Sequence, residues 1–160
     1  MKQKNLWLLV GIPGSGKSTW VREQLDSECK HWISRDVIRF GMVQEGEEYF
    51  SKEKKVFGLF ASAVQADIDS NVITDIYVDA THINEASREK LLGRLKNLEN
   101  VNLNAVVFDI PLEVCLERNA QRTGRAYVPE TAIRNMYNNF RNPALDERKY
   151  DKIIEMGESF

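Results

Sequence analysis

Gly11-Ile12-Pro13-Gly14-Ser15-Gly16-Lys17-Ser18 matches the pattern G-x-x-x-x-G-K-[S/T] at every fixed position. Just upstream, Leu6-Trp7-Leu8-Leu9-Val10 is an uninterrupted apolar run, the pattern of a central strand covered on both faces. Downstream, Lys17 to about Leu25 reads as a helix. A strand, a glycine loop and a helix in that order are the context this motif requires. Glycines allow a tight turn and bring backbone N–H groups close to phosphate oxygens, and the helix N-terminus adds unpaired donors and a positive dipole end. Lys17 supplies a mobile cation for the β- and γ-phosphates, and the Ser18 hydroxyl can ligate Mg²⁺. The expected donor is therefore ATP with Mg²⁺. It would be cradled by Gly11, Pro13, Gly14, Ser15, Gly16, Lys17, Ser18 and Thr19.

Strand and helix patterns alternate on either side of this loop. Strands are expected at His31–Ser34, Ile76–Asp79, Leu103–Phe108 and, as an edge, Ile153-Ile154. A short helix starts near Ser34 or Arg35, and residues 44–52 are polar and read as a loop. From Glu53 the spacing of Val56, Leu59, Phe60, Ala63 and Val64 is helical. Asn84 is placed to cap a helix with inner face Leu91, Leu92, Leu95 and Leu98. Pro111 and Pro129 each open a helix, the last one presenting Ile133, Met136, Tyr137 and Phe140. This predicts an α/β fold of the P-loop NTPase type: a three-layer sandwich with about five parallel strands and helices on both faces. It is nucleotide-kinase-like, with an arginine lid.

At 160 residues, one domain spanning 1–160 is the natural expectation, large enough to bury a core without disulfides. Composition is ordinary, 42% hydrophobic and 29% charged, which excludes a fibrous or disordered chain. Cys29 and Cys115 match no zinc or redox spacing, so a reduced, cytoplasmic setting is expected. The apolar run after Met1-Lys2-Gln3-Lys4 is too short for a secretion signal and leads straight into the glycine loop. A net charge of −2 argues against a protein that grips many phosphates along a duplex. A nucleic-acid partner would be held at a small local site, such as one strand end.

Asp79 and Asp109 both follow expected strands, at the edge where open α/β sheets bind ligands. Asp79 is preferred as the acid beside the metal, because its strand is expected next to the P-loop strand, although a cap role fits it equally well. Asp109, before Ile110-Pro111, reads better as a cap. Ser34-Arg35-Asp36-Val37-Ile38-Arg39 follows the second strand. Asp36 reads either as a general base for a substrate hydroxyl or as an acid favoured by a helix dipole. Arg39, one turn on, can hold an acceptor phosphate. Arg118 and Arg122 are expected on one helix face, broken at Gly124, as a lid that meets developing charge; a solvated basic helix end is the alternative. His31 reads as structural, and His82, after Thr81, lies near the expected crevice. Tyr49, Phe50, Phe57 and Phe60 can stack on a base, the last two having core spacing.

Taken in order, Gly-Ile-Pro-Gly-Ser-Gly-Lys-Ser-Thr-Trp (11–20), Ser-Arg-Asp-x-x-Arg (34–39), Asp-Ala-Thr-His-Ile-Asn (79–84), Phe-Asp-Ile-Pro (108–111), Arg-Asn-x-x-Arg (118–122) and Val-Pro (128–129) resemble the kinase domain of phage-type 5′-polynucleotide kinase. They also resemble the wider group of small P-loop kinases. The resemblance implies transfer of the ATP γ-phosphate to the 5′-hydroxyl end of DNA or RNA. It assigns Asp36 as general base, Arg39 to the acceptor's 3′-phosphate and Arg122, with Lys17, to the donor phosphates. Arg118 joins the ATP contacts. Arg35 and Thr81 join the acceptor site, and Ser18 and Asp79 the metal. Val37 stands where the phage pattern has a second acid. With no phosphatase region in this sequence, a kinase-only activity is expected. Two other readings stand beside it: a kinase of a small-molecule hydroxyl (nucleoside, sugar or antibiotic), and a nucleotide-binding module without turnover.

Overall fold

The computed structural model describes residues 3–146 and 148–157. The apolar run becomes β1 (Lys4–Val10), the middle of a sheet completed by β2 (Lys30–Ser34), β3 (Asp75–Asp79), β4 (Val101–Phe108) and β5 (Lys152–Met156). The order is β2-β3-β1-β4-β5, and every pairing is parallel. Register sets Leu9 of β1 level with Asp79 on one side and Val106 on the other.

The expected layers are present, and strand alternation sorts the core between them. Leu6, Leu8, Ile76 and Val78 face one layer, where they meet Phe57, Phe60, Ala61, Val64 and Ile68 of α3 (Glu53–Asp69) and Leu91 of α4 (Glu85–Leu92). Leu9, Tyr77, Val106 and Phe108 face the other. There they meet Trp20 and Val21 of α1 (Lys17–Gln24), Cys115 of α5 (Leu112–Ala120) and Ile133 of α6 (Glu130–Asn138). The central strand is hidden from both sides: Leu6, Leu8, Leu9 and Val10 are all fully buried.

Local chemistry sets the helix starts. The Ser34 hydroxyl accepts from the Val37 N–H at 3.3 Å and opens α2 (Arg35–Met42). Asn84 and Ser87 form a reciprocal capping box on α4. Pro111 and Pro129 directly precede α5 and α6.

Four expectations change. The helix after Asn84 stops at Leu92, capped at Gly93, and Leu95 and Leu98 reach the same core from the chain that follows. Phe140 lies past the end of α6, Tyr137 is exposed, and a further short helix, α7 (Pro143–Asp146), follows. Arg118 and Arg122 do not share a helix face, because α5 ends at Ala120. The cause is Asn119, whose side-chain amide pairs with both backbone groups of Val128, at 2.8 and 3.0 Å, and draws the chain across the helix end. Gly124 therefore does not break a helix; at φ 59° it opens a 3-10 turn, Gly124–Ala126.

Candidate active site

The loop between β1 and α1 is closed by contacts only small residues permit. Gly14 has φ +85°, and a Cβ there would stand 2.5 Å from the Cys115 carbonyl oxygen. A Cβ on Gly11 would stand 2.6 Å from Ser15 Oγ. Gly16 takes φ 97° immediately before α1. Lys17 Nζ turns back and donates to Gly11 O at 2.7 Å and Ile12 O at 3.3 Å. Ser15 Oγ is buried with no partner among the described residues, the condition of a hydroxyl lining a site for a polar ligand. Gly11 N–H is held by Thr81 O at 2.9 Å, which ties the loop to the end of β3.

Two groups at the sheet edge carry opposed electrostatics. Burial pulls the Lys17 ammonium below the ordinary lysine range, and Arg122 adds to this, while Asp79 and Asp36 oppose it. Burial pushes the Asp79 carboxyl up, against Lys17 and the N–H of Trp32. Ser18 Oγ donates to Asp79 Oδ2 at 3.3 Å, and Trp32 Nε1 donates to the same oxygen at 3.0 Å. A hydroxyl and a buried carboxylate side by side form a hard oxygen pair, the ligand chemistry Mg²⁺ takes. Asp109 is exposed beyond β4 and has no such partner among the described residues.

The cleft over this edge is about 250 Å³ and is lined by the loop, by Arg35, Asp36 and Arg39 of α2, and by Asp79, Thr81 and Arg122. Asp36 follows β2, two strands from β1, so roughly 10 Å of sheet separates its base from the glycine loop. Its side chain is 51% exposed, whereas that of Arg39 is 7% exposed. Arg39 is paired at all three nitrogens. Its Nε and Nη2 meet both oxygens of Glu53, and its Nη1 meets Asp36 Oδ1 and Tyr49 Oη. Its guanidinium lies 4.8 Å from the Tyr49 ring centre and 5.3 Å from that of Phe50. Arg35 Nη2 donates to Glu53 Oε2 at 2.8 Å. A second hollow, about 210 Å³, shares Arg39 and Tyr49 with the cleft and is otherwise lined by Phe40, Val43, residues 44–47, Gly124 and Tyr127.

Most residues expected in the site are brought together, with instructive exceptions. Arg118 does not line the cleft; it donates to Gly14 O at 3.1 Å and braces the loop from behind. Phe57 and Phe60 are core. His31 pairs with Asp67 on the surface. His82 is buried, with Nδ1–H donating to Leu9 O at 3.0 Å. Glu53, Trp32 and the hydroxyl role of Tyr49 were not foreseen. Glu53 opens a helix, where any acid is favoured by the dipole. Trp32 carried one faint signal, an indole N–H on a strand that needs a partner once half-buried.

The profile of the AAA domain family AAA_33 matches residues 6–143. Adenylate kinase of Campylobacter hominis is 28% identical over 159 residues, covering 92% of this chain and 82% of that protein. Transcription factor bHLH140 of Arabidopsis thaliana is 28% identical over 120 residues, and the match spans 73% of this chain but 11% of that protein. A chain of the Pnkp1/Rnl/Hen1 RNA repair complex superposes with a TM-score of 0.67 at 27% identity, over 87% of this chain and 44% of that one. A fungal RNA kinase (TM-score 0.66, 13% identity, 98% of this chain and 76% of that one) shares the fold. So does a sugar kinase of Janibacter sp. HTCC2649 (0.63, 18%, 97% and 85%). The chain therefore belongs to the AAA domain family AAA_33 and carries its phosphate-binding loop in a P-loop kinase-like α/β fold.

Proposed function

We propose that this protein transfers the γ-phosphate of ATP to the 5′-hydroxyl end of a polynucleotide, DNA or RNA, in the cytoplasm. The observation that carries the reading is a half-exposed carboxylate, Asp36, lining the same cleft as Lys17 and Arg122. A nucleotide binder without turnover needs no such group. The likeness to a chain of an RNA repair complex supports the choice of acceptor. Two free thiols, Cys29 and Cys115, suit a reducing compartment. Among the described residues, no helix is long and apolar enough to cross a membrane.

In this reading the glycine loop and Thr19 hold the triphosphate, and Lys17 leaves its carbonyl partners for the β- and γ-oxygens. Ser18 and Asp79 would hold Mg²⁺, which when bound neutralises charge on the β- and γ-phosphates. Asp36 accepts the acceptor's hydroxyl proton as that oxygen bonds to the γ-phosphorus and the bond to the β-phosphate oxygen breaks, releasing ADP. Arg122 and Lys17 meet charge on the equatorial oxygens. Arg118 acts indirectly, through Gly14. Arg35, Arg39 and Thr81 line the acceptor's side.

The test is label transfer from γ-labelled ATP to short 5′-hydroxyl DNA and RNA oligonucleotides, run beside nucleosides and gluconate. The expected outcome is labelled oligonucleotide, with Asp36→Asn lowering kcat on the order of a hundredfold or more. Label on a small molecule alone defeats the polynucleotide reading, and near-normal turnover by Asp36→Asn defeats the base assignment. One observation favours a small-molecule acceptor instead. Glu53, Asp36 and Tyr49 already engage all three nitrogens of Arg39, so an acceptor phosphate would meet a guanidinium whose charge two carboxylates already match.

A further inference from the structure

We infer that Tyr49 is a positioning residue that decides how the Asp36 carboxylate is presented: with Arg39 it ties up one oxygen, Oδ1, and leaves Oδ2 to take the acceptor's proton. This rests on the reading of Asp36 as the base and adds a residue on which that base depends.

The geometry is a closed triangle. Tyr49 Oη–H donates to Asp36 Oδ1 at 3.1 Å, Arg39 Nη1 donates to the same oxygen, and Arg39 Nη1 also donates to Tyr49 Oη at 3.3 Å. Among the described residues no donor reaches Asp36 Oδ2, although the side chain is half-exposed on the cleft. Arg39 cannot fix the carboxylate alone. Its Nε and Nη2 meet Glu53 and only its Nη1 reaches Asp36, at one oxygen, and a carboxylate held at one point keeps freedom about its last torsion. A second donor converging on the same oxygen removes that rotation.

Tyr49 suits the task. It sits in the 43–52 segment, which has no strand or helix, but its ring is locked edge-on against Phe50, with centres 4.6 Å apart, and over the buried Arg39 guanidinium. Burial, and then the negative charge of Asp36, push its hydroxyl above the ordinary tyrosine range. It therefore keeps its proton near neutral pH and acts as a donor, not as a competing base. During transfer the acceptor's proton moves to Asp36 Oδ2, the new oxygen–phosphorus bond forms and ADP departs. The Tyr49 proton stays in place.

The experiment is a double-mutant cycle with Tyr49→Phe and Asp36→Asn, read as kcat and as KM for ATP and for the acceptor. Phenylalanine keeps the ring against Phe50 and Arg39, so the melting temperature should hold and only the hydroxyl is lost. Tyr49→Phe is expected to lower kcat about tenfold, as for a lost hydrogen bond to a charged group, with the KM for ATP held within about twofold. In the Asp36→Asn background the same change should cost less than about twofold, because the group it positions is gone. Full kcat in Tyr49→Phe overturns the inference. So does an equal loss in both backgrounds, which would mark a merely structural contribution. Near-normal turnover by Asp36→Asn alone would instead remove the base reading, and this inference with it.

Discussion

The two halves of the cleft are built in different materials. The glycine-loop half is backbone: N–H groups and carbonyls of residues 11–16, clamped between β1 and α1, with α5 packed so close that Gly14 has no room for a Cβ. The α2 half is side chains: Asp36, Arg39, Tyr49 and Glu53, four residues from two helices and an irregular segment, held by charge-assisted hydrogen bonds and by the Tyr49 ring on the Arg39 guanidinium. A backbone cradle tolerates no change in shape but is indifferent to most side chains. A side-chain lattice tolerates changes in shape but depends on every partner. On the proposed reading the first suits a constant feature, the triphosphate, and the second a variable one, the acceptor.

That contrast can be attacked at several points. The largest effect is expected from Lys17→Met, which removes the cation of the backbone half. Label transfer should fall on the order of a thousandfold with the melting temperature kept. Next is His82, at the base of the loop half: its Nδ1–H holds Leu9 O at the mouth of the loop, and the neighbouring Thr81 O holds Gly11 N–H. Burial lowers its pKa from 6.5 to about 4, so the neutral ring is the form the fold accepts. The unfolded chain binds the proton first. The stability contribution is therefore whole above pH 6.5 and drains away as pH falls towards 4, about 3 kcal/mol in all. Urea titrations between those pH values should show this acid limb, and His82→Asn, which tolerates the residue's φ of 47°, should flatten it. A parallel decline in both proteins would place the acid sensitivity elsewhere.

Gly14→Ala should cost about 2 kcal/mol in urea melts and weaken ATP binding, since it adds a strained φ and a collision with the Cys115 carbonyl. An alanine variant of wild-type stability would mean the cradle is softer than its geometry. The smallest effect is expected from Glu53→Gln, which slackens the side-chain half alone. The acceptor KM should rise about tenfold as Arg39 and Arg35 lose their anchor, while the KM for ATP stays put. A shift in both constants would show that the halves are mechanically joined through α2.

The same division explains what could be read from the sequence. The loop, the sheet and the helix starts were legible because each is written locally: glycines at positive φ, an apolar run for a doubly covered strand, Asn84 with Ser87 for a capping box. Asp79 beside Ser18 followed from topology once β3 was expected next to β1. The α2 half was legible only as candidates. Spacing brought Asp36 and Arg39 to one turn but said nothing of Glu53, which arrives from another helix and changes Arg39 from a free cation into a paired one. Arg118 and Arg122 misled for a related reason. Four-residue spacing means a shared face only while the helix lasts, and the tertiary pairing of Asn119 with Val128 ends it between them.

That pairing has a consequence for how this protein can change over generations. The buried amide of Asn119 gives and takes at Val128 as a neighbouring strand would, so the chain between them is stitched shut at its base. Whatever length runs between the stitches, α5 and α6 keep their places. Doubling such a segment costs only about 0.6 kcal/mol in closure entropy. Insertions here can lengthen the stretch that brings Arg122 to the cleft while the glycine loop, residues 11–16, is left untouched.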